Sequence, residues 1–112
     1  EEIGQRTWLH ARNTCSALLF LVTHGVPGEA YNLVGDVELD NLDLAARIAG
    51  LLDRQLKVDY VDFHQSRPGH DSLYALDGTK LAKLGWTPPV AFEDSLRKTV
   101  QWTVQHPEWV NL

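Results

Sequence analysis

Apolar positions along this chain switch between two periods, and the switches mark its elements. Thr7 to His10 opens with strand-like composition. Cys15, Leu18, Leu19 and Val22 then recur at helical spacing, with Asn13 placed to cap the helix and Gly25 to end it. Glu29 to Val34 reads as a short strand, entered from Pro27-Gly28 and closed by Gly35. Leu42 to Arg54 is the clearest helix: Ala45, Ile48, Ala49 and Leu52 form one apolar stripe, Asn41 sits at the cap position and Asp43 in the first turn. Lys57 to Phe63 carries Val58, Tyr60, Val61 and Phe63 and predicts a third strand. A polar loop from Gln65 to Asp71 follows, without periodicity. Asp77 is placed to cap a short helix that runs through Lys83 and stops at Gly85. Pro88-Pro89 imposes an extended link, and Phe92, Leu96, Val100 and Val104 mark a last helix to Gln105, ended by Pro107. The predicted order is strand, helix, strand, helix, strand, small helix, helix. That is a small single α/β domain over residues 1–112, with a few short strands and three to four helices, too small for a complete doubly wound fold.

Composition narrows the function classes. The chain has 112 residues, 44% hydrophobic and 22% charged, within the ordinary globular range. Ten Lys and Arg against fifteen Asp and Glu leave a net charge of −5, which argues against a nucleic-acid binder. One cysteine cannot form an internal disulfide, and Cys15 on its apolar stripe is expected to be a small buried side chain. The longest apolar run, Ala17 to Val22, is too short to span a bilayer and no signal peptide opens the chain; the location expected is cytoplasmic. There is no methionine, and a chain that begins Glu1-Glu2 is expected to be cut from something longer or processed.

Candidate chemistry is sparse. A dinucleotide site needs a glycine-rich turn between a strand and a helix, and the one close glycine pair, Gly25 and Gly28, follows a helix. Tyr31, Tyr60 and Tyr74 are followed four residues on by Gly35, His64 and Gly78, so no Tyr-x-x-x-Lys proton-transfer pair occurs. The five histidines show no ligand spacing for a metal, and Ser66, His70 and Asp71 lack the elbow glycines of a serine nucleophile. The Arg67–Asp71 loop is different. An arginine beside proline and glycine, on a stiff and locally bare backbone, suits a bidentate grip on phosphate or carboxylate, with His70 as a second donor. Pairing of Arg67 with Asp71 to brace the turn is an equal reading. Arg6 beside Trp8, and Asn41 at a helix start, are two further possible anion contacts, although capping alone would account for Asn41.

Arg67-Pro68-Gly69-His70-Asp71, followed by Tyr74-Ala75-Leu76-Asp77, Lys80-Leu81 and Leu84-Gly85-Trp86-Thr87-Pro88, resembles the NAD-dependent nucleotide-sugar epimerase and dehydratase family. This family belongs to the extended short-chain dehydrogenases, and within it the blocks resemble those of the dTDP-glucose 4,6-dehydratases. Three more blocks agree in order: Arg6 to His10, Gly28 to Gly35 and Phe92 to Trp102. The sequence departs from the family pattern at Thr7, Val34 and Thr103.

The resemblance implies the smaller C-terminal domain that binds the nucleotide sugar, lacking the Rossmann domain that holds NAD and the catalytic residues. It implies that Arg6, Asn41 and Arg67 hold the diphosphate and nucleoside of a nucleotide diphosphate sugar such as dTDP-glucose, with His70 beside them. Tyr31 and Asn32 match a block that shapes packing and the face toward that other domain, while Trp86, Phe92 and Trp102 match core positions. The expected function is therefore substrate binding by a monomer, with no catalytic, cofactor or metal residue in the chain and no nucleic-acid or membrane partner. Two alternatives stay open: half of a split enzyme completed by a separate Rossmann chain, or an interaction module that no longer binds ligand.

Overall fold

The computed structural model describes residues 4–62 and 73–110. Three short strands form one mixed sheet in the order β2-β1-β3, with β1 (Gln5–Trp8) in the centre. β2 (Val37–Asp40) runs antiparallel to β1, from Gln5 opposite Asp40 to Trp8 opposite Val37. β3 (Leu73–Tyr74) runs parallel to it, with Leu73 beside Gln5 and Tyr74 beside Arg6. The Trp8 indole N–H donates to the Leu39 carbonyl at 3.2 Å, so an aromatic side chain also clamps the antiparallel pair.

Among the described residues four helices accompany the sheet: α1 (Ala11–His24), α2 (Asn41–Leu51), α3 (Thr79–Leu84) and α4 (Phe92–Gln105), with a 3₁₀ turn at Pro107–Trp109. The expected small α/β class holds, and α4 keeps its predicted bounds. Gly85 closes α3 in the left-handed conformation, φ 114°, as a glycine after a helix can. Asp77 contributes at the other end of α3, where its carboxylate accepts from the Thr79 amide at 2.8 Å and from the Thr79 hydroxyl. α2 and α4 are joined by the Arg47–Glu93 ion pair and by Arg47 lying over the Phe92 ring, 5.9 Å from its centre.

Several expectations are corrected. All three predicted caps sit elsewhere: His10 Nδ1 accepts from the Arg12 amide at 3.0 Å to start α1, Asp40 accepts from the Asp43 amide at 2.7 Å to start α2, and Gly78, not Asp77, holds the cap position of α3. α2 ends at Leu51, short of Arg54. The strands predicted over Glu29 to Val34 and Lys57 to Phe63 do not form among the described residues, and Phe63 lies outside them. Strand composition alone makes no strand; a ladder partner must lie alongside, and β1 pairs with β2 and β3 instead.

The core is centred on Ala17, Leu81 and Trp86, with Phe20, Leu21, Tyr31, Leu33 and Leu84 packed around them. α1 turns Asn13 and Ala17 inward, which rotates the expected stripe away: Leu18 and Leu19 are exposed, and Val22 is 83% exposed. Cys15 is likewise exposed rather than buried. Trp86 and Phe92 are buried as expected, but Trp102 is half exposed, stacked on His106 with ring centres 4.3 Å apart. Asn13 carries a polar link inside the core, donating to the Val90 carbonyl at 2.8 Å and so tying α1 to the segment before α4.

Candidate functional site

The sheet positions the candidate site at one end of its central strand. Arg6 is the second residue of β1, flanked by Leu39 on one side and Tyr74 on the other. Its side chain is half-buried, and its Nε is a buried donor without an acceptor. The guanidinium carbon lies over the Tyr74 ring, 5.2 Å from its centre. Among the described residues no carboxylate pairs with it, in contrast to Arg47 and Arg97, which hold Glu93 and Asp94. A partly buried arginine normally finds a carboxylate, because desolvating a charge without compensation is costly. A buried Nε–H without an acceptor is an exception to the usual pairing of buried polar groups.

Asn41 lies at the same end. It follows Asp40, the register partner of Gln5, and its backbone amide donates to the Gly4 carbonyl at 3.1 Å. Because Asp40 performs the capping, the Asn41 side chain is exposed and makes no hydrogen bond among the described residues. The role that would have sufficed to explain Asn41 is thus filled by its neighbour. Asp40 and Asp43 already occupy the positive end of α2, so carboxylates of this chain take up the helix dipole there.

The structure therefore brings together two of the four candidate residues, Arg6 and Asn41. Arg67 and His70 lie outside the described residues. Tyr74, which the sequence offers only as part of a motif, joins the site through strand register. Nothing in the one-dimensional pattern sets Tyr74 beside Arg6, 68 positions earlier, before the parallel pairing is known.

Other features are already committed. A hollow of about 220 Å³ is lined by Asn32, Val34, Gly35, Leu81, Trp86 and Pro88, a mostly apolar wall, and the Asn32 amide donates to the Asp77 carbonyl at 3.0 Å. Tyr31 and Lys80 approach each other, yet Lys80 Nζ is held by Glu29 at 2.5 Å and by the Ala30 carbonyl at 2.8 Å. The Tyr31 hydroxyl accepts from the Val26 amide at 3.0 Å. That bonding holds Glu29 to Val34 against α3 and gives no proton-transfer couple. The Lys80 hydrogen bond and charge lower the Glu29 carboxyl below its ordinary value, and hydrogen bonds from Thr79 do the same for Asp77. The Gly25 amide donates to the Leu21 carbonyl at 2.8 Å and closes α1, so this glycine ends a helix instead of opening one. Among the described residues no group of three or more acidic, histidine or cysteine side chains is arranged to hold a metal ion. No helix there is long and apolar enough to cross a membrane.

Fold and corner together define a small α/β unit with an arginine at the end of its sheet that no carboxylate among the described residues pairs. The family described as GDP-mannose 4,6 dehydratase matches residues 3–99, and the chain belongs to that family. The dTDP-glucose 4,6-dehydratase of Salmonella typhimurium is 39% identical over 112 residues, covering 95% of this chain and 31% of its own length. The enzyme of the same name from Neisseria gonorrhoeae is 42% identical over 107 residues, covering 87% of this chain and 31% of its own. Among solved structures, the dTDP-glucose 4,6-dehydratase of Bacillus anthracis in complex with NAD superimposes with a TM-score of 0.83 at 34% identity. That match covers 97% of this chain and 34% of the other, in the C-terminal part of the enzyme. The chain thus spans about a third of the length of the relatives it matches.

Proposed function

We propose that this chain is the substrate-binding part of an NAD-dependent nucleotide-sugar dehydratase of the dTDP-glucose type, acting in the cytoplasm. It holds the nucleoside diphosphate of the substrate through Arg6, Asn41, Arg67 and His70. The observation that carries this reading is Arg6: half-buried in the central strand, free of carboxylate partners among the described residues, with an Nε–H that has no acceptor. A diphosphate supplies both missing elements, negative charge and paired oxygen acceptors. Asn41, relieved of capping, adds a neutral donor at the same end of the sheet. Arg67 and His70 enter on the motif that they share with the family.

In this reading the chemical step belongs to the rest of the enzyme, a division supported by the lack of a Tyr-x-x-x-Lys pair in the sequence. Binding by the chain is accordingly weak, because half a cleft leaves the sugar in water. The exposed Leu18, Leu19 and Val22 of α1, with exposed Val26 just after the helix, support a second body of protein covering this side in the active enzyme. By itself the chain is monomeric, which light scattering checks. The proposal is tested by titrating dTDP-glucose into the chain while following backbone amide NMR shifts. Shifts centred on residues 5–8 and 40–42 are expected at millimolar ligand; an unmoved spectrum there would overturn it.

A further inference from the structure

We infer that Tyr74 is a positioning residue for this site, setting the plane in which Arg6 meets its ligand. The inference rests on the proposed function of Arg6 and goes one residue beyond it. A guanidinium is planar and carries its five N–H donors in that plane, so whatever covers its face decides where the donors point. In this chain the Arg6 guanidinium carbon lies over the Tyr74 ring, 5.2 Å from its centre. A ring takes the face and leaves the donor edge free, whereas a carboxylate would occupy the donors themselves. Among the described residues no carboxylate does so.

The backbone fixes the arrangement as well. Arg6 and Tyr74 are register partners across the parallel β1–β3 pair, so their side chains leave neighbouring strands on the same face of the sheet. β3 is only two residues long, and this contact is half of its pairing with β1. Tyr74 thus joins two functions in one contact. It holds a long, otherwise rotatable arginine in one orientation, and it does so without neutralising the charge on which diphosphate binding depends. Preorganising a side chain in this way raises affinity by reducing the entropy lost on binding.

The test uses this chain, with dTDP as probe. Wild type, Y74F, Y74L, R6A and the double variant R6A/Y74L are compared by calorimetric titration, with the Arg6 Nε–H resonance followed by NMR. Y74F keeps the ring and is expected to bind within about twofold of wild type, whereas Y74L is expected to lose roughly threefold to tenfold. In the R6A background Y74L is expected to change nothing further, because its effect passes through Arg6. The wild-type Nε–H resonance should be displaced upfield by the ring, a readout that does not require any variant to fold. Y74L binding like wild type, an undisplaced resonance, or an undiminished Y74L effect without Arg6 would overturn the inference while leaving the nucleotide reading intact. Failure of wild type to bind dTDP, or binding unchanged in R6A, would overturn the nucleotide reading itself.

Discussion

Gly35 lies so close to Trp8 that a Cβ built on it would stand 1.9 Å from the Trp8 carbonyl oxygen. The contact lies where the segment leading into β2 passes the end of β1, at the far end of the strand pair from Arg6 and Asn41. No side chain can replace the hydrogen there without moving backbone. G35A should therefore destabilise the chain by about 1–3 kcal/mol, the usual cost of overpacking a closely packed position. Urea denaturation checks this, and an unchanged midpoint would show that the two segments are not in contact.

Asp40 and Asn41 are adjacent, and the structure assigns them separate tasks. D40A should cost about 1 kcal/mol of stability through loss of the α2 cap and leave dTDP contacts in place. N41A should leave the melting temperature nearly unchanged and weaken dTDP binding. Thermal melts and titrations of the two variants separate the roles. A large stability loss in N41A would return the cap to Asn41 and remove it from the site.

Lys80 and Glu29 make stability depend on acidity. The folded Glu29 carboxyl is lowered from 4.5 by the Lys80 hydrogen bond and charge, and Asp77 from 3.8 by Thr79. Groups lowered in the folded state contribute fully above those ordinary values and lose the contribution as pH falls through the folded ones. The melting temperature of wild type should thus exceed that of E29Q/D77N near neutrality, and the gap should close as pH drops below about 4. A gap that persists into strong acid would assign the difference to packing rather than to these charges.

The outward face of α1 carries no fold stability of its own. L19K and V22K change positions that are 72% and 83% exposed and should shift stability by no more than about 0.5 kcal/mol. A17K, at a position with no exposure, should prevent folding. Circular dichroism melts distinguish these cases. If L19K or V22K unfolded the chain, the inward face of α1 would have to be reassigned.

Legibility in the sequence followed how local each determinant is. α4 was readable because Phe92 and Val100 recur at helical spacing and Pro107 stops the run; the end of α3 was readable from Gly85, whereas its cap position falls on Gly78 and not on Asp77. The orientation of α1 was not. It is apolar on more than one face, and burial of Asn13 and Ala17 is set by Val90 and Trp86, more than 60 residues away in sequence. The strands were hardest: Glu29 to Val34 has the composition of a strand without a partner, whereas Val37–Asp40, with two acidic residues, forms one because β1 lies beside it. The site divided along the same line. Arg6 and Asn41 were visible as residue types, but the environment of Arg6 among the described residues and the register that sets Tyr74 beside it depend on pairings distant in sequence, and the cap passed to Asp40 next door.

The most direct measurement is a calorimetric comparison of dTDP with thymidine on wild type and R6A. Diphosphate recognition through Arg6 predicts that wild type binds dTDP at least tenfold more tightly than thymidine, a difference of about 1.4 kcal/mol or more, and that R6A loses most of that preference. Equal affinity of wild type for the two ligands, or a preference for dTDP that survives in R6A, would contradict it.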